Sequence, residues 1–247
     1  MRRCENNRHV LWKTSTSPDR CAIVALMQID SKPAAPPKRT VIEGQYAKVV
    51  PLDASAHAGD LWEAAGSPEQ DRLWRYLFDG PYRERGAFET ALVAKAASDD
   101  PLFFGILDRG TARAVGYASY MRIEPKHRVI EVGSILFTPR LQRTTAATES
   151  MYLMARHVFE SLRYRRYEWK CDSRNEPSRA AALRLGFTFE GIFRQHMIVK
   201  GQNRDTAWYS MLDSEWPSRK AEFERWLAPG NFIDGVQKTP LRMPRLT

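Results

Sequence analysis

The chain of 247 residues is long enough for one large domain or two small ones, and its 43% hydrophobic and 11% aromatic content suits a folded globular protein. Three cysteines (Cys4, Cys21 and Cys171), none in a C-x-x-C pair, exclude a dense disulfide framework, and no run of about 18 apolar residues is present to span a membrane. The net charge of +9 is uneven: residues 1–39 hold eight Lys/Arg against three Asp/Glu, and the remainder is nearly balanced, which argues against general nucleic-acid or other polyanion binding.

Residues 1–39 lack sustained periodicity and end in a Pro-rich, charged segment (32–39). They read as a basic flexible extension with no place in a core. The apolar run 21–27 is short for a signal-peptide core, and the cytoplasm is the expected compartment. Ordered structure is expected from about residue 40 to 228, with 229–247 as a tail. A strand is predicted at 46–52, helices at 54–65, near 68–78 and at 84–97, and a hairpin from 102–108 and 114–123. A strand at 129–137 precedes the strongest helical stripe, 145–162. A strand at 166–171, a short helix at 177–185, an antiparallel pair at 187–199 and 205–212, and a helix at 218–227 complete the order. This alternation specifies an α/β domain with a mixed twisted sheet of about seven strands flanked by helices. The last helix carries Phe223, Trp226 and Leu227, which either cap the sheet or dock a partner; a homodimer is the expected assembly.

Two segments carry chemistry. The strand ending Ser134-Ile135-Leu136-Phe137 feeds a loop, Gln142-Arg143-Thr144-Thr145-Ala146-Ala147, at a helix start, where backbone N–H groups and the helix dipole favour an anion. Farther on, Asn175 caps a helix whose first turn holds Pro177 and Ser178, with Leu185-Gly186-Phe187 and Glu190-Gly191 beyond it. No nucleophile elbow, Walker loop or dinucleotide fingerprint occurs, and His127, His157 and His196 are too dispersed for a metal site. The interleaved bases and aromatics of residues 163–170 alternate as a strand does, which favours burial of the aromatics over a nucleic-acid surface.

Together, in this order and spacing, these segments resemble the Gcn5-related N-acetyltransferase superfamily, with closer likeness to its ribosomal-protein alanine N-acetyltransferase branch, over about residues 42–215. The loop pattern Gln/Arg-x-x-Gly-x-Gly/Ala maps onto Gln142, Thr145 and Ala147, and Asn-x-x-Ser onto Asn175 and Ser178. Thr145 stands where the pattern has glycine, which is tolerable if the position is right-handed helical. The resemblance implies an acyl-CoA N-acyltransferase fold with acetyl-coenzyme A as donor and a small-molecule or peptide amine as acceptor. It implies that the pantetheine arm lies against Ile135, Leu136 and Phe137, whose backbone N–H would polarise the thioester carbonyl. The pyrophosphate would then rest on residues 143–147, with Arg143 or Arg179 pairing with it. Glu131 is the expected general base and Ser134 an alternative polar group. The family's usual acid tyrosine is missing, which leaves Ser178. A noncatalytic acyl-coenzyme A-binding or regulatory domain of the same fold is the rival reading. Trp62, Trp74, Tyr76, Phe78 and Tyr82 could line an acceptor wall, and Asp71, Asp79 and Glu84 could attract an ammonium group.

Overall fold

A computed structural model describes residues 31–233 and 235–244. Cys4, the apolar run 21–27 and the rest of residues 1–30 lie outside the described residues. The main sheet has eight strands in the order β1-β2-β3-β4-β5-β6-β8-β7: β1 (Ile42–Glu43), β2 (Ala47–Pro51), β3 (Leu102–Asp108), β4 (Ala114–Glu124), β5 (Val129–Phe137), β6 (Arg166–Asp172), β7 (Thr188–Val199) and β8 (Gln202–Leu212). Only β5 and β6 run parallel, joined by the crossover helix α3 (Thr145–Arg156); every other neighbouring pair is antiparallel. The eighth strand, beyond the seven expected, is the two-residue β1. A separate ribbon pairs Phe232–Ile233 (β9) with Val236–Gln237 (β10).

Each face of the sheet carries its own core. On one side α1 (Ala54–Ala65) and α2 (Arg85–Ala97) bury Leu61, Phe88 and Leu92 with Phe103 and Tyr117. Helix α1 starts where expected because Asp53 accepts the N–H groups of Ser55 and Ala56 at 2.8 and 3.2 Å. Residues 68–74, read as helix, form a 3-10 turn beneath Trp74. On the other side α3 and α5 (Trp216–Leu227) cover Ile130, Val132, Tyr167 and Trp169. The expected helix 145–162 finishes in a π turn at His157–Ser161, closed by Leu162 N–H donating to the His157 carbonyl. Among the described residues no helix is long and apolar enough to cross a membrane.

Three expectations need correction. Residues 32–39 are not a free arm: Ala34 is buried in the core and donates its N–H to the Pro125 carbonyl, while Arg39 pairs with Asp99 at 2.6 Å. The aromatic face of α5 is consumed within the chain, Trp216 stacking on Tyr152 and Phe159 and Phe223 packing on Tyr152, so this helix offers no argument for a homodimer. The segment after Pro229 packs as well, with Leu241 buried and the Asn231 amide donating to the carbonyls of Trp226 and Thr239.

Candidate active site

The centre of the sheet opens because of a bulge in β5. Tyr117 faces Leu136 and Ser119 faces Gly133, so Ala118 opposes both Ser134 and Ile135, and Ser134 adopts φ +47°. The parallel ladder with β6 runs from Val129–Arg166 to Val132–Trp169 and stops there. Beyond it, the β6-facing edge of residues 133–137 has no strand partner among the described residues. Leu136 is buried toward α1, and Ile135 and Phe137 are half-buried beside the other core. At the parting, a Cβ on Gly133 would lie 2.4 Å from Met121 Sδ, so a side chain there would force the methionine to move.

The mouth of this opening is the loop before α3. Gln142 Nε2 donates to the Phe137 carbonyl at 2.8 Å and braces the loop against the strand end. Thr144 is the N-cap, its hydroxyl accepting Ala147 N–H at 3.1 Å and donating to the Leu141 carbonyl at 2.7 Å. Ala147 N–H is thereby satisfied, and those of Arg143, Thr145 and Ala146 stay open for an anion. The left-handed residue is Arg143, φ +63°; Thr145 is the first helical residue, so glycine is not needed there. The exposed Arg143 side chain makes no hydrogen bond or ion pair among the described residues. The open strand edge, the unpaired N–H groups and this cation fit an extended thioester carrying a pyrophosphate.

At the neighbouring strand end, α4 (Glu176–Arg184) is capped by Asn175, whose Oδ1 accepts Ser178 N–H at 3.2 Å. Ser178 Oγ accepts the Trp169 indole N–H at 3.0 Å, so Asn175 and Ser178 first of all secure the helix to β6. Arg179 is committed to Tyr209 Oη and the Ser173 carbonyl, which leaves Arg143 as the phosphate candidate of the two. Cys171 is buried, and burial pushes its thiol up from the ordinary range, away from a nucleophile's state.

The face of the sheet opposite α3 carries a charged ladder that the sequence revealed only as alternation. Glu131 is 2% exposed; Arg122 NH1 lies 2.8 Å from both its oxygens, and Lys170 Nζ lies 2.8 Å from Oε2. Lys170 also bonds Glu168 at 2.7 Å and sits 3.9 Å from the Trp208 ring centre. Arg166 extends the ladder to Glu168 and Glu190. Burial raises the pKa of Glu131, and Lys170 and Arg122 pull it partly back. Tyr164, Tyr167 and Trp169 are buried, so residues 163–170 offer no stacking surface for nucleic acid.

The loop between α1 and α2 roofs this face. Trp62, Trp74 and Tyr82 pack around Phe88 as core, whereas Tyr76 and Phe78 stay near the opening. Asp71 is held by Arg83 and Asp79 by Tyr82 and Lys95, so neither carboxylate is available as an ammonium ligand. Lys200 ties the β7–β8 turn to the roof, donating to the carbonyls of Trp74 and Asp79 at 2.8 and 2.9 Å. Arg122, Lys170, His196, Arg204 and Trp208 were missed as site residues. For Arg204 the signal was the alternation Arg204, Thr206, Trp208, Ser210 against Ala207, Tyr209, Met211, obscured by starting the strand at residue 205. His196 Nδ1 lies 2.9 Å from Thr206 Oγ1 on this face. Among the described residues no group of three or more His, Cys, Asp or Glu is placed to hold a metal.

Residues 49–188 match the family model described as acetyltransferase (GNAT) domain. A crystal structure of a GCN5-related N-acetyltransferase from Brucella melitensis is 47% identical, with a TM-score of 0.84 over 86% of this chain and 96% of that one. A probable acetyltransferase (GNAT family) from Chromobacterium violaceum is 38% identical, with a TM-score of 0.72 over 77% and 95%. Among curated proteins, the ribosomal-protein-serine acetyltransferase of Escherichia coli is 29% identical over 41% of this chain and 56% of its own length, and an uncharacterized N-acetyltransferase, YoaA of Bacillus subtilis, is 30% identical over 44% and 61%. The chain thus spans 56–61% of the length of the curated relatives it matches.

Proposed function

Because this chain belongs to the GNAT acetyltransferase family, we propose that it transfers an acetyl group from acetyl-coenzyme A to a primary amine by direct attack in a ternary complex. The observation that carries this reading is the parting of β5 from β6 at a bulge, directly below a helix N-terminus with unpaired N–H groups. Acetyl-coenzyme A supplies the activated thioester. Arg143, Thr145 and Ala146 receive its pyrophosphate, and the open edge at Ile135, Leu136 and Phe137 receives its arm. A backbone N–H of that edge stabilises charge developing on the carbonyl oxygen. Glu131, buried on the acceptor face, takes a proton from the substrate's ammonium group through water, so that the neutral amine attacks the thioester carbonyl. Ser178, which accepts from Trp169 and hydrogen-bonds the Cys171 sulfur, is the group that would protonate the departing sulfur.

The test is turnover of a panel of amines and short peptides, read by release of the coenzyme thiol and by the mass of the product. Peptides belong in the panel because a curated relative is named for acetylating a ribosomal protein. Saturable formation of an acetylated amine is expected. Binding of acetyl-coenzyme A with no acetylated product from any amine would favour the noncatalytic reading instead.

A further inference from the structure

Arg204 is only 7% exposed, yet its guanidinium is almost unpaired. Nε donates to Thr206 Oγ1 at 3.2 Å, and the Phe78 ring lies 5.2 Å from the guanidinium carbon. Neither terminal nitrogen has an acceptor among the described residues. Nor is either sealed in the interior: Arg204 lines a cavity of about 210 Å³ together with Arg75, Tyr76, Asp172, Arg174 and Lys200. A guanidinium is always charged, and leaving one buried without a counter-ion costs several kcal/mol.

The carboxylates of Asp172 and Glu131 act on the Arg204 charge through space, but no carboxylate among the described residues hydrogen-bonds its terminal nitrogens. Asp172 is fully engaged by Arg174, which reaches Oδ1 with Nε at 3.0 Å and Oδ2 with a terminal nitrogen at 2.8 Å. Lys200 is held by two backbone carbonyls of the roof. Arg75, exposed at the rim, stacks on Tyr76 at 5.2 Å and has no carboxylate. The cavity therefore presents one buried and one rim guanidinium, neither hydrogen-bonded to a carboxylate among the described residues. Its location ties it to the reaction. Strand β8 brings Arg204 just past the end of β6, where Asp172 pairs with Thr206, and Arg204 shares the sheet face of Lys170 and Glu131.

We infer that the acceptor is a small amine bearing a carboxylate, bound by Arg204 at the floor and Arg75 at the rim of this cavity. The inference rests on the acetyl-transfer reading and narrows its acceptor. The two terminal nitrogens of Arg204 form a planar fork that matches a carboxylate in bidentate fashion. The cavity has the room of about seven waters, the scale of an amino-acid head group. An amino acid places its carboxylate on the fork while its amine points toward Glu131. The N-terminus of a protein would bring a neutral peptide group to the same place and leave the charge unmet.

The experiment is a thermal-shift titration of the full chain, loaded with coenzyme A, with each of the twenty amino acids and its carboxamide, followed by turnover of the same pairs with acetyl-coenzyme A. At least one acid is expected to raise the unfolding midpoint where its amide does not. Arg204→Gln is expected to weaken that acid's binding and its kcat/KM about 10–100-fold, and to change those of its amide less than about threefold. Arg75→Gln, at an exposed site where folding is not in question, is expected to give a smaller loss with the same selectivity. The inference is overturned if no acid outperforms its amide, if both variants weaken acid and amide alike, or if aminomethylphosphonate is preferred to glycine. Arg204-dependent binding of an acid without any turnover would leave the carboxylate site standing and count against acetyl transfer alone.

Discussion

Glu131→Gln lowers kcat/KM for acetyl transfer by about 10²–10³-fold while leaving coenzyme A affinity within a few-fold of the parent. The side chain lies on the sheet face opposite α3, away from the α3 loop proposed to receive the pyrophosphate, so loss of the base is separable from loss of donor binding. The pH profile carries a second, sharper expectation. A base works ionised, and burial raises the pKa of Glu131, so activity falls as pH drops through that raised value. Lys170 opposes the rise. Lys170→Met removes one of the two cations bonded to it at 2.8 Å, leaving Arg122, and the acidic limb must move to higher pH. A limb that stays in place in Lys170→Met, with full activity in Glu131→Gln, would make this carboxylate purely a member of the ladder.

The second large effect is on stability. Glu149, 5% exposed in α3, accepts three backbone N–H groups from the β1–β2 turn: Gln45 at 2.8 Å, and Tyr46 and Ala47 at 2.6 Å. The turn is fitted closely around it, since a Cβ on Gly44 would fall 2.5 Å from Glu149 Oε2. Glu149→Ala leaves three backbone donors unmet, that of Ala47 buried and those of Gln45 and Tyr46 partly so, and costs roughly 2–4 kcal/mol. In a chain of this size that lowers the unfolding midpoint by about 10 °C. Urea unfolding showing a loss below about 1 kcal/mol would mean that the turn finds other acceptors or water. The functional corollary is that Glu149 fixes the helix whose N-terminus is the proposed anion site.

The sequence made most strands and helices legible because their patterns are local. Asp53 announces α1, and the stripe from Met151 to Phe159 announces α3. What it hid depends on distant partners. The segment around Ala34 looks like a linker by composition, but its small apolar side chain fits a gap in the core. Two-residue strands such as β1 carry no period to detect. The condition set for Thr145 in place of glycine, a right-handed helical position, is met, but the sequence does not show that the left-handed residue is Arg143. The site was half visible. The α3 loop and Asn175/Ser178 stand out in the sequence as motifs and Glu131 only by its place on the central strand, whereas Lys170 and Arg204 gain meaning only when β5, β6 and β8 bring their side chains to one face.

The most direct measurement is calorimetric titration of the full chain with acetyl-coenzyme A and with coenzyme A, repeated on Arg143→Ala. One saturable site for both ligands is predicted, weakened about 3–10-fold by loss of the single free guanidinium at the α3 loop. No binding of either ligand at millimolar concentration would contradict the assignment of the β5–β6 opening as a donor site and, with it, the proposed acetyl transfer.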